Sequence, residues 1–215
     1  VVVATGARRD APPIPGTQQS HVFSGDELRA LMTGDDPRVV KAKLPWWQGM
    51  LLLLAGIFGI TRRASWLRQL SQWWMPVGKR VSIIGGGLVG LELAEFLAER
   101  GRQVTVIEEG DKFGIELAIV RRWRVLEDLQ HLGVELMNNS TVSSIDGHSL
   151  LLAGKGRQIS IEADTVILAS GATGDLSMAQ LSRGLGLETH VAGDCDGVGY
   201  IEGAIRSAHA VARAL

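Results

Sequence analysis

Hydrophobic and polar positions in the middle of the chain follow a strand pattern, then a helix pattern, then a strand pattern again. Mostly apolar runs at 81–84 and 104–107 predict two buried strands. Between them, apolar side chains recur on one face of a predicted helix: Val89, Leu93, Phe96 and Leu97. The pattern therefore predicts a strand, a helix and a second strand, with the helix packed on the strands through that face.

The same alternation continues towards the C-terminal end. Apolar positions that include Val120 and Trp123 predict a second helix, which ends at Gly133, and residues 134–137 predict a third strand. Short segments of alternating polarity then predict a β-meander, at 141–145, 149–152 and 158–161. An apolar strand begins at Asp164, and a helix from about Ile201 to Leu215 closes the chain.

The N-terminal part carries weaker patterns. Residues 1–7 predict a buried strand that ends in a turn of small residues, and a Pro-rich loop follows. Ser24 and Glu27 have the spacing of a capping box, which predicts a short helix ending near Gly34. We interpret the rest of this part as connecting structure.

A glycine motif stands between the first central strand and its helix. Gly85, Gly87 and Gly90, with Leu88 and Val89 between the last two, have the spacing of a dinucleotide-binding turn. The first glycine permits the tight turn, the second lets the backbone approach a pyrophosphate, and the third allows the helix to pack closely. Glycines alone could form a plain tight turn, but the flanking strand and helix favour nucleotide binding.

Glu108 ends the second central strand, about 20 residues after the motif, where a carboxylate accepts a hydrogen bond from the ribose 2′-hydroxyl. The next residues, Glu109, Gly110 and Asp111, offer no arginine for a 2′-phosphate. The sequence therefore predicts that NAD is preferred over NADP.

Composition limits the number of domains, the partners and the kinds of site that the chain can have. The chain has 215 residues, enough for one large or two small domains, and a net charge of -1 gives no reason to expect nucleic acid as a partner. Cys195 is the only cysteine, which excludes an internal disulfide and fits a reducing compartment, so we expect a cytoplasmic protein. The five histidines lie in no triad or metal spacing, and we assign no metal site and no catalytic acid or base.

Because Val1 stands inside an apolar strand, we expect the chain to be a fragment.

The segment from Arg38 to Arg80 differs from the rest of the chain. It has eight Lys or Arg, no Asp or Glu, and five of the six tryptophans. Residues 45–76 predict a helical, Trp-rich insertion, whose first apolar run of about 15 residues is too short to span a membrane. Such a basic hairpin could lie on a membrane surface; we favour packing on a neighbouring domain or another subunit.

Two segments of the chain echo each other. Ala4, Gly6 and Ala7 follow an apolar strand, and Ala169, Gly171 and Ala172 follow another. The echo predicts two similar nucleotide domains, the second of which interrupts the first. Near the C-terminal end, a short strand runs into Gly193 and Asp194 just before a helix, where a carboxylate can meet a ribose or ribityl hydroxyl.

These motifs together resemble the two-dinucleotide-domain flavoprotein reductases of the pyridine nucleotide-disulfide oxidoreductase fold. The run from Gly85 to Ala94 resembles the NAD-domain signature, the run from Ala4 to Ala7 the midpoint motif, and the run from Ala192 to Asp194 the flavin motif. The resemblance implies that Asp194 holds the ribityl chain of FAD and that Glu92 lies near the nicotinamide. A solvated helix charge is an equally good interpretation of Glu92.

Within that family, the chain most resembles the C-terminal half of NADH:flavin oxidoreductases of the 2,4-dienoyl-CoA reductase type. Those proteins carry FMN and an iron–sulfur cluster in an N-terminal part that has no counterpart here. The resemblance implies hydride transfer from NADH to a flavin and onward reduction of a small-molecule acceptor such as an enoyl thioester. It also implies a missing N-terminal flavin domain or another subunit as partner, so we expect the chain to be inactive by itself.

The predicted fold is therefore α/β, with a Rossmann-like NAD-binding domain inserted in an incomplete FAD-binding domain. The predicted boundaries are 1–44 for part of the FAD-binding domain and linker, 45–76 for the insertion, 77–172 for the NAD-binding domain, and 173–215 for the return to the FAD-binding domain. An open alternative is that the domain binds ADP, or nothing, and has a structural role.

Overall fold

The structure is a computed structural model, and it describes residues 1–8, 12–33, 36, 38, 42–43, 49–50, 75, 77–154 and 157–215. The chain divides into two compact units. Val1–Asp10 and Gly171–Leu215 form one, which we name the terminal unit, and Ala11–Ser170 form the other, the central unit. The helices predicted over 45–76 lie outside the described residues, apart from 49–50 and 75.

A five-stranded sheet with only parallel neighbours forms the centre of the central unit. In spatial order its strands are β3 (Val22–Ser24), β10 (Thr165–Leu168), β4 (Arg80–Ile84), β5 (Gln103–Ile107) and β6 (Glu135–Met137). Parallel neighbours need crossover connections. Helix α2 (Leu88–Ala98) connects β4 to β5, and helix α3 (Ile119–His131) connects β5 to β6.

The two faces of this sheet have separate cores, because side chains alternate along each strand. On one face, Ile83, Val106 and Ile167 pack with buried residues of α2, α3 and α1 (Gly25–Thr33). On the other face, Ile107 and Leu168 pack with an antiparallel sheet made of β7 (Thr141–Asp146), β8 (Ser149–Gly154) and β9 (Arg157–Glu162). The α/β fold class and the β-meander are confirmed.

Helix α2 packs on the sheet with three of the four predicted residues, since Leu97 is buried and Leu93 and Phe96 pack against the core. Leu91, Ala94 and Leu97 are fully buried, whereas Val89 is 45% exposed. At 3.6 residues per turn, Val89 lies about 160° around the helix from Leu91. The prediction that Val89 faces the core was therefore wrong, although the helix itself is confirmed.

Helix α3 is confirmed, but two of the apolar positions that predicted it do not face the core. Leu129 is fully buried, but Val120 is 82% and Trp123 is 69% exposed. Residues three apart shift by about 60° around a helix at each step. Three such steps from Leu129 place Val120 on the opposite side, so an apolar stripe at this spacing cannot stay on one face. The predicted end of the helix is confirmed, since Gly133 follows α3 with a φ of +74°.

The segment before residue 34 contributes to the sheet, which its sequence pattern did not predict. Val22 and Phe23 are buried in β3, which pairs with β10. The capping box is confirmed: the Ser24 amide donates to Glu27 Oε2 at 2.8 Å, and the Glu27 amide donates to Ser24 Oγ at 3.2 Å. β3 has only three residues, which are too few to show the alternation of polar and apolar positions that identifies a strand.

The terminal unit contains two pairs of short strands. β1 (Val2–Val3) pairs in parallel with β12 (His190–Val191), and β2 (Ala7–Arg8) pairs antiparallel with β11 (Thr173–Gly174). Its helices are α4 (Ser177–Gly184), a 3₁₀ turn (Gly193–Cys195) and α5 (Tyr200–Ala214), and the last confirms the predicted C-terminal helix.

The first predicted strand is shorter and more exposed than expected. Only Val3 is buried, while Val1 and Val2 are 56% and 51% exposed. An apolar run shows that burial is favourable, but it does not show how many residues find a partner surface. Among the described residues, no helix is both long and apolar enough to span a membrane.

Candidate dinucleotide-binding site

The glycine turn lies at the C-terminal end of β4, and its first and third glycines admit no side chain. Gly85 has a φ of +113°, a conformation that other residues rarely adopt. A β-carbon at Gly85 would lie 2.6 Å from the carbonyl oxygen of Ala169, and one at Gly90 would collide with the carbonyl oxygen of Gly85. These two glycines therefore let the strand turn directly into α2 and let the helix pack against it.

Gly87 differs from its two neighbours in the motif. It is the N-cap of α2, its backbone is extended, and no side chain caps the helix. The first amides of a helix lack partners within the helix, and they attract anions. Leu88 and Val89 lie in this first turn, so the start of α2 presents backbone donors where the sequence predicts a pyrophosphate.

Glu108 lies beside this turn, as its position after β5 predicts. Its Oε2 accepts a 2.6 Å hydrogen bond from the amide of Gly86, and its Oε1 accepts a 2.8 Å hydrogen bond from the amide of Gly110. A carboxylate offers about four acceptor positions, so a ribose hydroxyl can still donate to it. Nothing in the sequence indicated the bond from Gly86, because it depends on how β4 and β5 align.

The loop that follows Glu108 contacts the glycine turn at three points. The Phe113 ring packs on Gly86, and the Gly114 amide donates to the Gly86 carbonyl oxygen at 2.8 Å. Glu116 places its carboxylate against Gly87. No local pattern marks this loop as part of the site, because its contacts form only when β5 aligns beside β4.

Glu92 lies one turn further along α2 and pairs with α3. Its Oε1 accepts a 3.1 Å hydrogen bond from Arg121, and both side chains are more than half exposed. The interpretation of Glu92 as a surface charge fits this geometry. A role near the nicotinamide stays a prediction.

The other predicted cofactor residues lie in the terminal unit. Asp194 Oδ1 accepts a 3.0 Å hydrogen bond from the amide of Gly199, next to the start of α5, and Gly193 has a φ of +79°. Gly6 and Gly171 also have positive φ values, +79° and +86°. They precede β2 and β11, so the echoed segments lead into strands that pair with each other.

Cys195 is fully buried, and its thiol donates to the carbonyl oxygen of Ala192 at 3.2 Å. This environment supports its interpretation as a small packing residue. The described residues contain no cluster of three or more His, Cys, Asp or Glu suited to a metal ion.

A parallel sheet, a glycine turn into a helix and a carboxylate on the next strand define a Rossmann-like nucleotide-binding protein. The chain matches the model of the pyridine nucleotide-disulphide oxidoreductase family over residues 1–197, and it belongs to that family. The family resemblance found in the sequence is therefore confirmed. FAD and NAD(P)H are the cofactors that membership implies.

Two curated relatives illustrate the family. Bilirubin reductase of Mediterraneibacter gnavus (strain CC55_001C) is 29% identical over 196 residues, which cover 91% of this chain and 24% of that protein. NADH oxidase of Thermoanaerobacter brockii is 33% identical over 137 residues, which cover 62% of this chain and 21% of that protein. The chain thus spans about a quarter of the length of these relatives.

Two solved structures share the fold. A complex of 2-naphthoyl-CoA reductase with 2-naphthoyl-CoA has a TM-score of 0.65 and 24% identity, and the match covers 96% of this chain and 25% of that one. Histamine dehydrogenase from Rhizobium sp. 4-9 has a TM-score of 0.64 and 18% identity, and the match covers 100% of this chain and 30% of that one.

Proposed function

We propose that the central unit binds NADH and that the whole protein transfers a hydride from NADH to a flavin. The observation that carries this proposal is the arrangement at the end of β4. There the start of α2, which no side chain caps, lies beside the Glu108 carboxylate, and Gly87 itself brings no side chain to that place. The family match supports the same cofactor class.

The proposed preference for NADH over NADPH rests on charge. Glu108 bonds to the turn through both oxygens, so its negative charge stays where the adenosine ribose is expected. The next residues in the chain, Glu109, Gly110 and Asp111, supply no arginine to this position. A 2′-phosphate would therefore meet repulsion from Glu108 and no guanidinium from residues 109–111.

A bound flavin would supply the redox chemistry, as the acceptor of a hydride from the nicotinamide. The protein binds and orients the cofactors. In the terminal unit, Asp194 is the residue proposed to hold the ribityl chain of FAD. The amide of Gly199 donates to its Oδ1 and not to its Oδ2. In the whole protein, FMN and an iron–sulfur cluster in a further N-terminal part or another subunit would carry electrons onward.

The proposed acceptor class is an organic molecule such as an enoyl thioester. The resemblance to the 2,4-dienoyl-CoA reductase type supports this choice. One protein of similar fold, 2-naphthoyl-CoA reductase, is named for a thioester of coenzyme A. Thioester substrates are therefore the first class to test with the whole protein.

The proposal is tested by calorimetric titration of the 215-residue chain with NADH, NADPH and ADP at fixed salt. We expect NADH to bind at least about tenfold more tightly than NADPH, a difference of about 1.4 kcal/mol. Equal affinities for ADP and NADH would instead favour a structural nucleotide site. Absence of binding by all three would contradict the proposal.

The structure offers a variant that separates binding from folding. The nearest atoms to a β-carbon at Gly87 belong to the flexible end of Glu116, so Gly87→Val should keep the fold and obstruct the phosphates. Gly184→Val is the matched control, because a β-carbon there meets nothing within 4 Å. We expect Gly87→Val to lose nucleotide binding with unchanged circular dichroism, and Gly184→Val to bind as the wild type does.

A further inference from the structure

The carboxylate of Glu116 lies where the candidate site is expected to receive phosphate. A β-carbon on Gly87 would be 2.7 Å from Glu116 Oε1 and 3.5 Å from Oε2. Gly87 is the N-cap of α2, and no other heavy atom lies so close to that position. The side chain of Glu116 therefore covers the approach that a glycine at this position leaves open.

The loop around Glu116 is attached to the same turn by its backbone. Gly114 has a φ of +58°, and its amide donates to the Gly86 carbonyl oxygen. The Phe113 ring packs on Gly86 from the same loop. These contacts hold the loop beside the turn, whereas the Glu116 side chain ends in solvent and can rotate away.

A negatively charged side chain is favourable at the start of α2 for the same reason that a phosphate group is. The start of a helix carries a partial positive charge and unpaired amides, which stabilise a carboxylate or a phosphate within the first turn. A carboxylate and a phosphate at one helix start repel each other. A dinucleotide phosphate that approached these amides would therefore be repelled by the Glu116 carboxylate beside Gly87.

We propose that Glu116 is an internal competitor at the pyrophosphate site: its carboxylate lies against Gly87 and has to move aside when a dinucleotide binds. The proposal rests on the proposed function, because it assumes that a nucleotide binds at the glycine turn. Glu116 then lowers nucleotide affinity, and binding displaces its side chain while the backbone of the loop between β5 and α3 stays attached to the turn.

The test compares the affinities of wild type, Glu116→Gln and Glu116→Ala for ADP and NADH by calorimetry at low, fixed salt. Both variants remove the charge from an exposed side chain. We expect each to bind both nucleotides about three- to tenfold more tightly, since a charge at a helix start has a modest effect at the surface. The gain should shrink at high salt, because solvent-exposed charges are screened.

Glu109→Gln is the matched control, since it removes the same charge from an exposed position in the same loop. We expect its affinities to stay within about twofold of the wild type. An equal gain in Glu109→Gln would overturn the proposal in favour of a general charge effect. Unchanged or weaker binding by both Glu116 variants, with wild-type binding intact, would overturn only the role of Glu116. If none of the four proteins bound ADP or NADH, both the proposed function and the role of Glu116 would be overturned.

Discussion

At the scale of single residues, Glu108 shapes the glycine turn with the same two oxygens that are proposed to meet the ribose. Its two oxygens each accept a backbone hydrogen bond, from Gly86 in the glycine turn and from Gly110 in the next loop. Hydrogen bonds to a charged group stabilise more than neutral ones do. Glu108 therefore fixes the shape of the turn before any ribose hydroxyl donates to it.

Replacement of Glu108 by glutamine keeps the size of the side chain and removes its charge. We expect Glu108→Gln to weaken NADH binding by about tenfold, through the lost charge-assisted bonds, and to leave NADPH binding unchanged or stronger. Titration of both nucleotides measures the change in preference. Asp111→Asn is the control, because Asp111 is exposed and its carboxylate pairs only loosely with Lys112, at 3.8 Å. An unaltered preference in Glu108→Gln would contradict the charge argument.

At the scale of secondary structure, one ionic cluster joins the starts of two adjacent strands. The guanidinium of Arg80, on β4, bonds to Asp164 just before β10, and the Arg80 amide donates to Asp164 Oδ2 at 2.9 Å. Arg80 also pairs with Glu162. These bonds lower the pKa of Asp164 to about 2, first through the Arg80 side chain and then through its amide. Protonation of Asp164 therefore weakens the attachment of β10 to β4.

This cluster predicts a loss of stability in acid. Because the pKa of Asp164 is lower in the folded than in the unfolded chain, its contribution is complete above about pH 4 and is lost as the pH falls towards 2. We expect about 1 kcal/mol after allowance for screening of a side chain that is 30% exposed.

Urea unfolding of the wild type and Asp164→Asn at pH 7 and pH 2.5 measures this contribution. The free energies of unfolding should differ at pH 7 and approach each other at pH 2.5. A difference that stayed the same at both pH values would show that the ionised pair is not responsible.

At the scale of the whole molecule, the two units differ in how much they bury. Both clusters of buried hydrophobic residues belong to the central unit. In the terminal unit, α5 has no buried residue, and Ile201 and Ile205 are 80% and 66% exposed. Helices owe most of their stability in proteins to the packing of an apolar face. We infer that α5 opens more easily than the central sheet.

Hydrogen exchange followed by mass spectrometry measures this difference. Amides of α5 should exchange at least about a hundredfold faster than those of β4 and β10, because local opening costs less where few apolar contacts are lost. Addition of NADH should slow exchange in the glycine turn if the proposed function is right. Equal protection of α5 and β4 in the free chain would contradict the inference.

Much of the central unit could be predicted because its signals are local. The Ser24 and Glu27 pattern became the predicted pair of hydrogen bonds, since the partners lie three residues apart. Gly85 stands at the turn and has a positive φ, as its place in the motif requires. In these cases the nearest neighbours in the chain determine the conformation.

Other features depend on surfaces that residues far apart in the chain create. Val89 was predicted to face the core and is exposed, because the place of the helix on the sheet decides which face is buried. β3 became a strand because β10 offers it a partner.

The sequence by itself thus determined the α/β class, the glycine turn and the position of Glu108 after its strand, because periodicity and backbone conformation are properties of short segments. Only the tertiary structure decided that Glu108 bonds to Gly86 and that Glu116 lies against Gly87. Those contacts arise when parallel strands align and bring the loops at their C-terminal ends together, and no short segment contains that information.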